Sequence, residues 1–156
     1  MTDPDLMMNN DTYCGQVRHW LVTNLSSNPD GTLNLTHSSA TNISPYVRPA
    51  PLPNYISPRP HRYIFILARS LSTLDVQPQD LQDMQKEYVA AVQGKQTDVQ
   101  DLKDRWGFNA QRLIEEKGLE VLGVNFMRVA GTVESAVVNA GLMGQAVGDK
   151  IGRAHV

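Results

Sequence analysis

Asp3 and Asp5 flank Pro4 near the start of the chain, His19 and His61 sit among β-branched and aromatic residues, and a proline-rich segment carrying Tyr46 runs between the two histidines. Carboxylates and imidazoles are the groups that move protons, hold cations and meet phosphates near neutral pH. Taken singly, each has a plainer reading. Asp3-Pro4-Asp5 reads as a turn in which proline fixes φ and the carboxylates cap nearby amides. His19, on a strand, reads as a half-buried and satisfied histidine. His61-Arg62-Tyr63 reads as a strand edge, and the proline-rich stretch as an extended partner-binding segment. The usual catalytic signatures are missing: no G-x-S-x-G, no H-E-x-x-H, no Gly-Lys-Ser/Thr phosphate loop and no G-x-G-x-x-G. The chain is therefore not expected to be an enzyme, and nothing in it calls for a cofactor or a metal.

The elements that must position these groups belong to one domain. A chain of 156 residues with 41% hydrophobic and 19% charged content has a globular composition. It can bury about 68–70% of its unfolded surface without metals or disulfides. With 14 basic and 16 acidic side chains the net charge is -2, which argues against a nucleic-acid binder. Cys14 is alone, so neither an internal disulfide nor a cysteine zinc cluster can form. No run approaches the roughly 18 apolar residues of a membrane span. The opening Met-Thr-Asp-Pro-Asp lacks the regions of a signal peptide. Asn-x-Ser/Thr sites at Asn10, Asn24, Asn34 and Asn42 suit either a glycosylated secreted chain or chance in a stretch rich in Asn, Ser and Thr. Secreted and cytoplasmic locations both stay open.

Gln16 to Asn24 alternates and predicts a strand, closed by the turn chemistry of Pro29 and Asp30-Gly31. Residues 32–44 read as a polar loop or a weak hairpin. Six of the nine prolines fall between Pro45 and Pro60, which forbids both helix and central strand. His61 to Arg69 predicts a buried strand around Ile64-Phe65-Ile66-Leu67. Pro78-Gln79-Asp80 opens a helix carrying Leu81, Met84 and Tyr88. Phe108 to Lys117 predicts a second helix with Gly118 as its stop, and Leu119 to Val129 a third strand. Residues 130–150 form a tail of small residues, read as a helix or a mobile segment. The last six, Ile151 to Val156, match the translation of a common sequencing adapter and are set aside.

In order and spacing the motifs together resemble the phosphatidylethanolamine-binding protein family, which includes the Raf kinase inhibitor proteins. The family shows Asp-Pro-Asp, then a histidine on a strand, then a Tyr-x-Gly-Pro-x-Pro-Pro loop leading into His-Arg-Tyr. Here these are Asp3-Pro4-Asp5, His19-Trp20-Leu21-Val22, Tyr46 to Pro53 and His61-Arg62-Tyr63. Trp106-Gly107-Phe108 and Leu122 to Phe126 look like the closing helix and the strand after it. The resemblance runs to about Val129, and fungal members look most similar. It departs at Arg48, where the family keeps Gly, at Leu52, and in the longer linker from Asn54 to Pro60.

The resemblance implies a mainly β fold, with a central antiparallel sheet packed on a smaller one and helices at the side and near the C-terminus. It implies a partial domain over 1–129 with the early strands missing and Met1 internal to a longer chain. Asp3, Asp5, His19, Tyr46, Pro49, Pro51, His61 and Tyr63 would then line a small pocket for an anion or a phospholipid head group. A zwitterion such as phosphoethanolamine suits mixed carboxylates and imidazoles, since a nearby carboxylate favours imidazolium. Regulation of a partner protein, a kinase or a protease, would be the output. Serine carboxypeptidase inhibition, a metal-dependent hydrolase and a structural role in a larger assembly such as a mitochondrial ribosome are the alternatives.

Overall fold

The computed structural model describes residues 1–5, 15–51, 59–91 and 105–138, with backbone alone at 88–91. Asn10, Leu52, Pro53, residues 54–58 of the linker, the side chain of Tyr88 and residues 139–156 lie outside the described residues.

The organising strand is β7, His61–Arg69. Its alternation puts His61 and Tyr63 on a covered face while Arg62 points to water. Along one edge it pairs antiparallel with β8, Glu120–Val129, from His61↔Val129 to Arg69↔Glu120. Along the other lies β1, Thr2–Asp3, with Thr2 opposite Ile64. Next comes β2, Val17–Arg18, so the main sheet has the order β2-β1-β7-β8. Every pair in it is antiparallel.

The strand expected over Gln16 to Asn24 is in fact two. The carbonyl of Met1 accepts from both the His19 and Trp20 amides, at 2.9 and 3.1 Å. Two residues then face one, as in a bulge, and the chain changes direction. It continues as β3, Leu21–Thr23, while Ser26–Ser27 forms β4, Leu33–Asn34 forms β5 and Thr41–Ser44 forms β6. The pairs β3-β6 and β4-β5 are separate two-stranded sheets, so the stretch 32–44 contributes short strands rather than loop alone. The turn between β4 and β5 places Gly31 at φ 83°, a conformation open to glycine. Asn24 also has positive φ, at 58°, and its side-chain amide makes two bonds with the backbone of Leu74, at 2.7 and 2.9 Å. That amide is already engaged, unlike the exposed Asn42.

Helix α1, Pro78–Ala91, starts as expected with proline in its first turn, and Asp80 accepts from the Gln77 amide at 3.0 Å. Helix α2, Ala110–Glu116, is capped by Asn109, which accepts from the Arg112 amide at 3.0 Å, and is stopped by Gly118 at φ 60°. Ion pairs Arg112–Glu87 and Lys117–Asp80 link the helices at the surface. Such exposed pairs add at most about 1 kcal/mol each. Burial dominates. Met84, Val76, Phe108, Ala110 and Leu113 form the core, with Leu21, Ile43, Ile66, Leu74 and Leu81 packed against it. Each large side chain buried there stabilises by about 1.5–3 kcal/mol. In the tail, residues 133–138 are helical. Among the described residues no helix is long and apolar enough to cross a membrane.

Candidate functional site

Strand pairing brings together side chains 58 residues apart. Asp3, on β1, lies beside β7, and the His61 Nδ1–H donates to its Oδ2 at 2.9 Å. Both residues are buried, at 1% and 3% exposure. The other carboxylate oxygen of Asp3 accepts the Asp5 amide at 2.8 Å. The Tyr63 hydroxyl also donates to Asp3 and accepts from the backbone of Ala50. Burial, then the nearby Asp3 charge, push the Tyr63 phenol well above its usual range, so it stays a donor.

His19 completes the cluster from the chain after β2. Its ring meets Tyr63 edge-on at 5.0 Å, and His61 stacks on the same tyrosine at 6.5 Å. His19 Nδ1 lies 3.0 Å from the Val47 carbonyl, which can only accept, so Nδ1 carries the proton. Burial holds this imidazole below its ordinary range, against the opposing pull of Val47 and Asp3. His19 is thus a neutral ring at pH 7.

A pH dependence of stability follows. In the unfolded chain a histidine titrates near 6.5, and His19 in the fold resists protonation. As pH falls below about 6.5 the unfolded state takes up this proton first, so His19 costs stability toward acid. His19→Asn should flatten the decline in urea midpoint between pH 6.5 and 5. An unchanged slope would mean that the ring is solvated.

The proline-rich segment closes over the cluster through its backbone. The Val47 amide donates to the His19 carbonyl at 2.9 Å, and the Pro51 carbonyl accepts from Ser135 Oγ at 2.6 Å. Pro51 is fully buried and Pro49 half-buried. Arg105 ties the approach together, its guanidinium donating to the carbonyls of Arg18, His19 and Pro45. Arg105 and Ser135 were not foreseen. An arginine before Trp-Gly and a serine in a small-residue tail carry no local signal of such a role.

Two expected residues sit differently. Asp5 joins the cluster only by its amide. Burial opposes ionisation of its carboxyl, but hydrogen bonds and charge from Arg62 outweigh this and hold it below the usual range. The contacts are the Arg62 amide and Nη2, each at 2.7 Å, and Nε at 2.9 Å. Tyr46 is 54% exposed, and its ring packs edge-on against Trp20 rather than against either histidine. Arg48 is exposed on the same segment. Among the described residues no group of three or more His, Cys, Asp or Glu is arranged to hold a metal ion.

The family model described as phosphatidylethanolamine-binding protein matches residues 1–106 of the 156. The chain belongs to this family. No curated protein and no solved structure matches it significantly. The family match takes in the Asp-Pro-Asp segment, His19, the proline-rich segment and His-Arg-Tyr. It ends before α2 and β8, although β8 pairs with β7 along the whole strand that carries His61 and Tyr63.

Proposed function

We propose that this family member is a binding protein whose Asp3–His61–Tyr63–His19 cluster recognises a small phosphorylated head group, phosphoethanolamine being the simplest, and thereby regulates a partner protein. The observation that carries the reading is the buried Asp3–His61 bond at 2.9 Å, with the Tyr63 ring in contact with both imidazoles. The oxygens of Asp3 accept from His61, the Asp5 amide and Tyr63. A carboxylate so engaged orients rings rather than shuttling protons, which favours recognition over catalysis. The neutral His19 suits an ammonium or hydroxyl group, and the exposed Arg48 supplies a cation for a phosphate on the segment above.

The experiment is a calorimetric titration with O-phosphorylethanolamine. His61→Ala should abolish the binding heat while Arg62→Ala, outside the cluster, leaves it within about twofold. Equal affinity of the wild-type chain and His61→Ala would overturn the reading.

A further inference from the structure

The sheets alone do not fix where His19 sits. On one flank the Met1 carbonyl takes the amides of both His19 and Trp20, so two residues face one. On the other, the register passes from Leu21↔Ser44 to the bond from the Val47 amide to the His19 carbonyl. That sets Pro45 and Tyr46 against Trp20 alone, a second mismatch of two residues to one. Pro45 has no N–H with which to repair the ladder. The residue that must present its ring to the cluster thus stands between two irregularities.

Arg105 stands at this break. Its backbone is held beside β2: the Arg105 carbonyl accepts the Arg18 amide at 2.7 Å, and Gln16 and Phe108 exchange bonds at 3.2 and 3.0 Å. The side chain then reaches back. Nη1 shares its two protons among the carbonyls of Pro45, Arg18 and His19, at 3.0, 3.3 and 3.4 Å. One half-buried group so joins the end of β2, the site histidine and the first residue of the proline-rich segment. Among the described residues no carboxylate forms an ion pair with it.

We propose that Arg105 is a positioning residue of the head-group site: its guanidinium holds His19 and the start of the proline-rich segment in one frame, and acts on the ligand through them. This rests on the head-group reading. The charges around His19 agree with it. Burial does most to hold the ring below its ordinary range; the Arg105 and Met1 cations add to this, against Val47 and Asp3. Removing Arg105 takes away a cation and loosens the ring's surroundings, and both changes favour imidazolium.

The test uses the 156-residue chain and two readouts, calorimetric titration with O-phosphorylethanolamine and pH titration of the histidine ring nitrogens without ligand. Arg105→Met keeps the apolar stem and deletes charge and donors. It should weaken binding roughly tenfold or more and raise the His19 titration point by about half a pH unit or more. The exposed His37 should not move. Arg105→Lys restores a donor and a charge, so it should recover most of the affinity and the wild-type titration point. Arg69→Gln, at the exposed pair with Glu120, should leave both readouts as they are. If Arg105→Met does not fold by circular dichroism, Arg105→Gln carries the same expectations. Binding within twofold of wild type, no recovery in Arg105→Lys, or an unmoved His19 titration point would overturn the proposal. A wild-type chain that binds no phosphorylethanolamine would overturn the head-group reading instead, while the ligand-free titration still decides whether Arg105 holds His19.

Discussion

Asp3→Ala should lower the thermal midpoint by roughly 10 °C. Asp3 is 1% exposed and accepts from the His61 imidazole, the Asp5 amide and the Tyr63 hydroxyl. Removing it leaves all three donors without their acceptor in a covered site. Each buried donor left without an acceptor costs about 1–3 kcal/mol, and in a chain of this size each kcal/mol moves the midpoint by about 2–4 °C. Asp3→Asn keeps one acceptor oxygen but presents an NH₂ group to donors, so it should fall between the wild-type chain and Asp3→Ala. Thermal unfolding by circular dichroism ranks the three. A loss below about 1 kcal/mol for Asp3→Ala would mean that water reaches the carboxylate. Head-group binding should fall with it, because the bond that holds the His61 ring in place is gone.

Tyr63 should give the second large effect. Its ring packs against both imidazoles, and its hydroxyl joins Asp3 to the Ala50 backbone. Tyr63→Phe keeps the packing and deletes the hydroxyl, leaving two partner groups short of a bond for about 1–3 kcal/mol. Tyr63→Ala also opens a cavity and should cost about 3–5 kcal/mol. Because the hydroxyl acts partly through Asp3, the Asp3→Ala Tyr63→Phe double variant should lose less than the two single losses combined, by about 0.5–3 kcal/mol. Urea unfolding of the four proteins checks this. Strict additivity would separate the tyrosine from the carboxylate and break the cluster into unrelated contacts.

Where one period dominated, the chain was readable in advance. Ile64-Phe65-Ile66-Leu67 lies in β7, though half-buried and, at Leu67, exposed rather than buried as expected; proline opens α1, and Gly118 stops α2. The break at His19-Trp20 was hidden, because it comes from Met1, eighteen residues away, whose carbonyl takes two amides. Alternation within Gln16–Asn24 holds no trace of that. In the candidate site, motif order drew attention to Asp3, His19, His61 and Tyr63, and pairing across β1 and β7 sets the distances among them. Asp5 was expected to face the histidines like Asp3, but Arg62, adjacent to His61, competes for its carboxylate from the solvent side. Tyr46 was read as part of the loop motif, and the exposed Trp20–Tyr46 contact is a long-range pairing with no local pattern behind it.

Long-range nitrogen–proton correlation spectra of the histidine rings, recorded at fixed pH while O-phosphorylethanolamine is added, test the head-group site most directly. His37 is a built-in reference: it lies exposed in the segment before β6, with Nδ1 held by Ser39 at 2.7 Å. The ring signals of His61 and His19 should shift together and saturate at one ligand per chain while His37 stays still. Unmoved His61 and His19 signals, or shifts no larger than those of His37, would contradict the account.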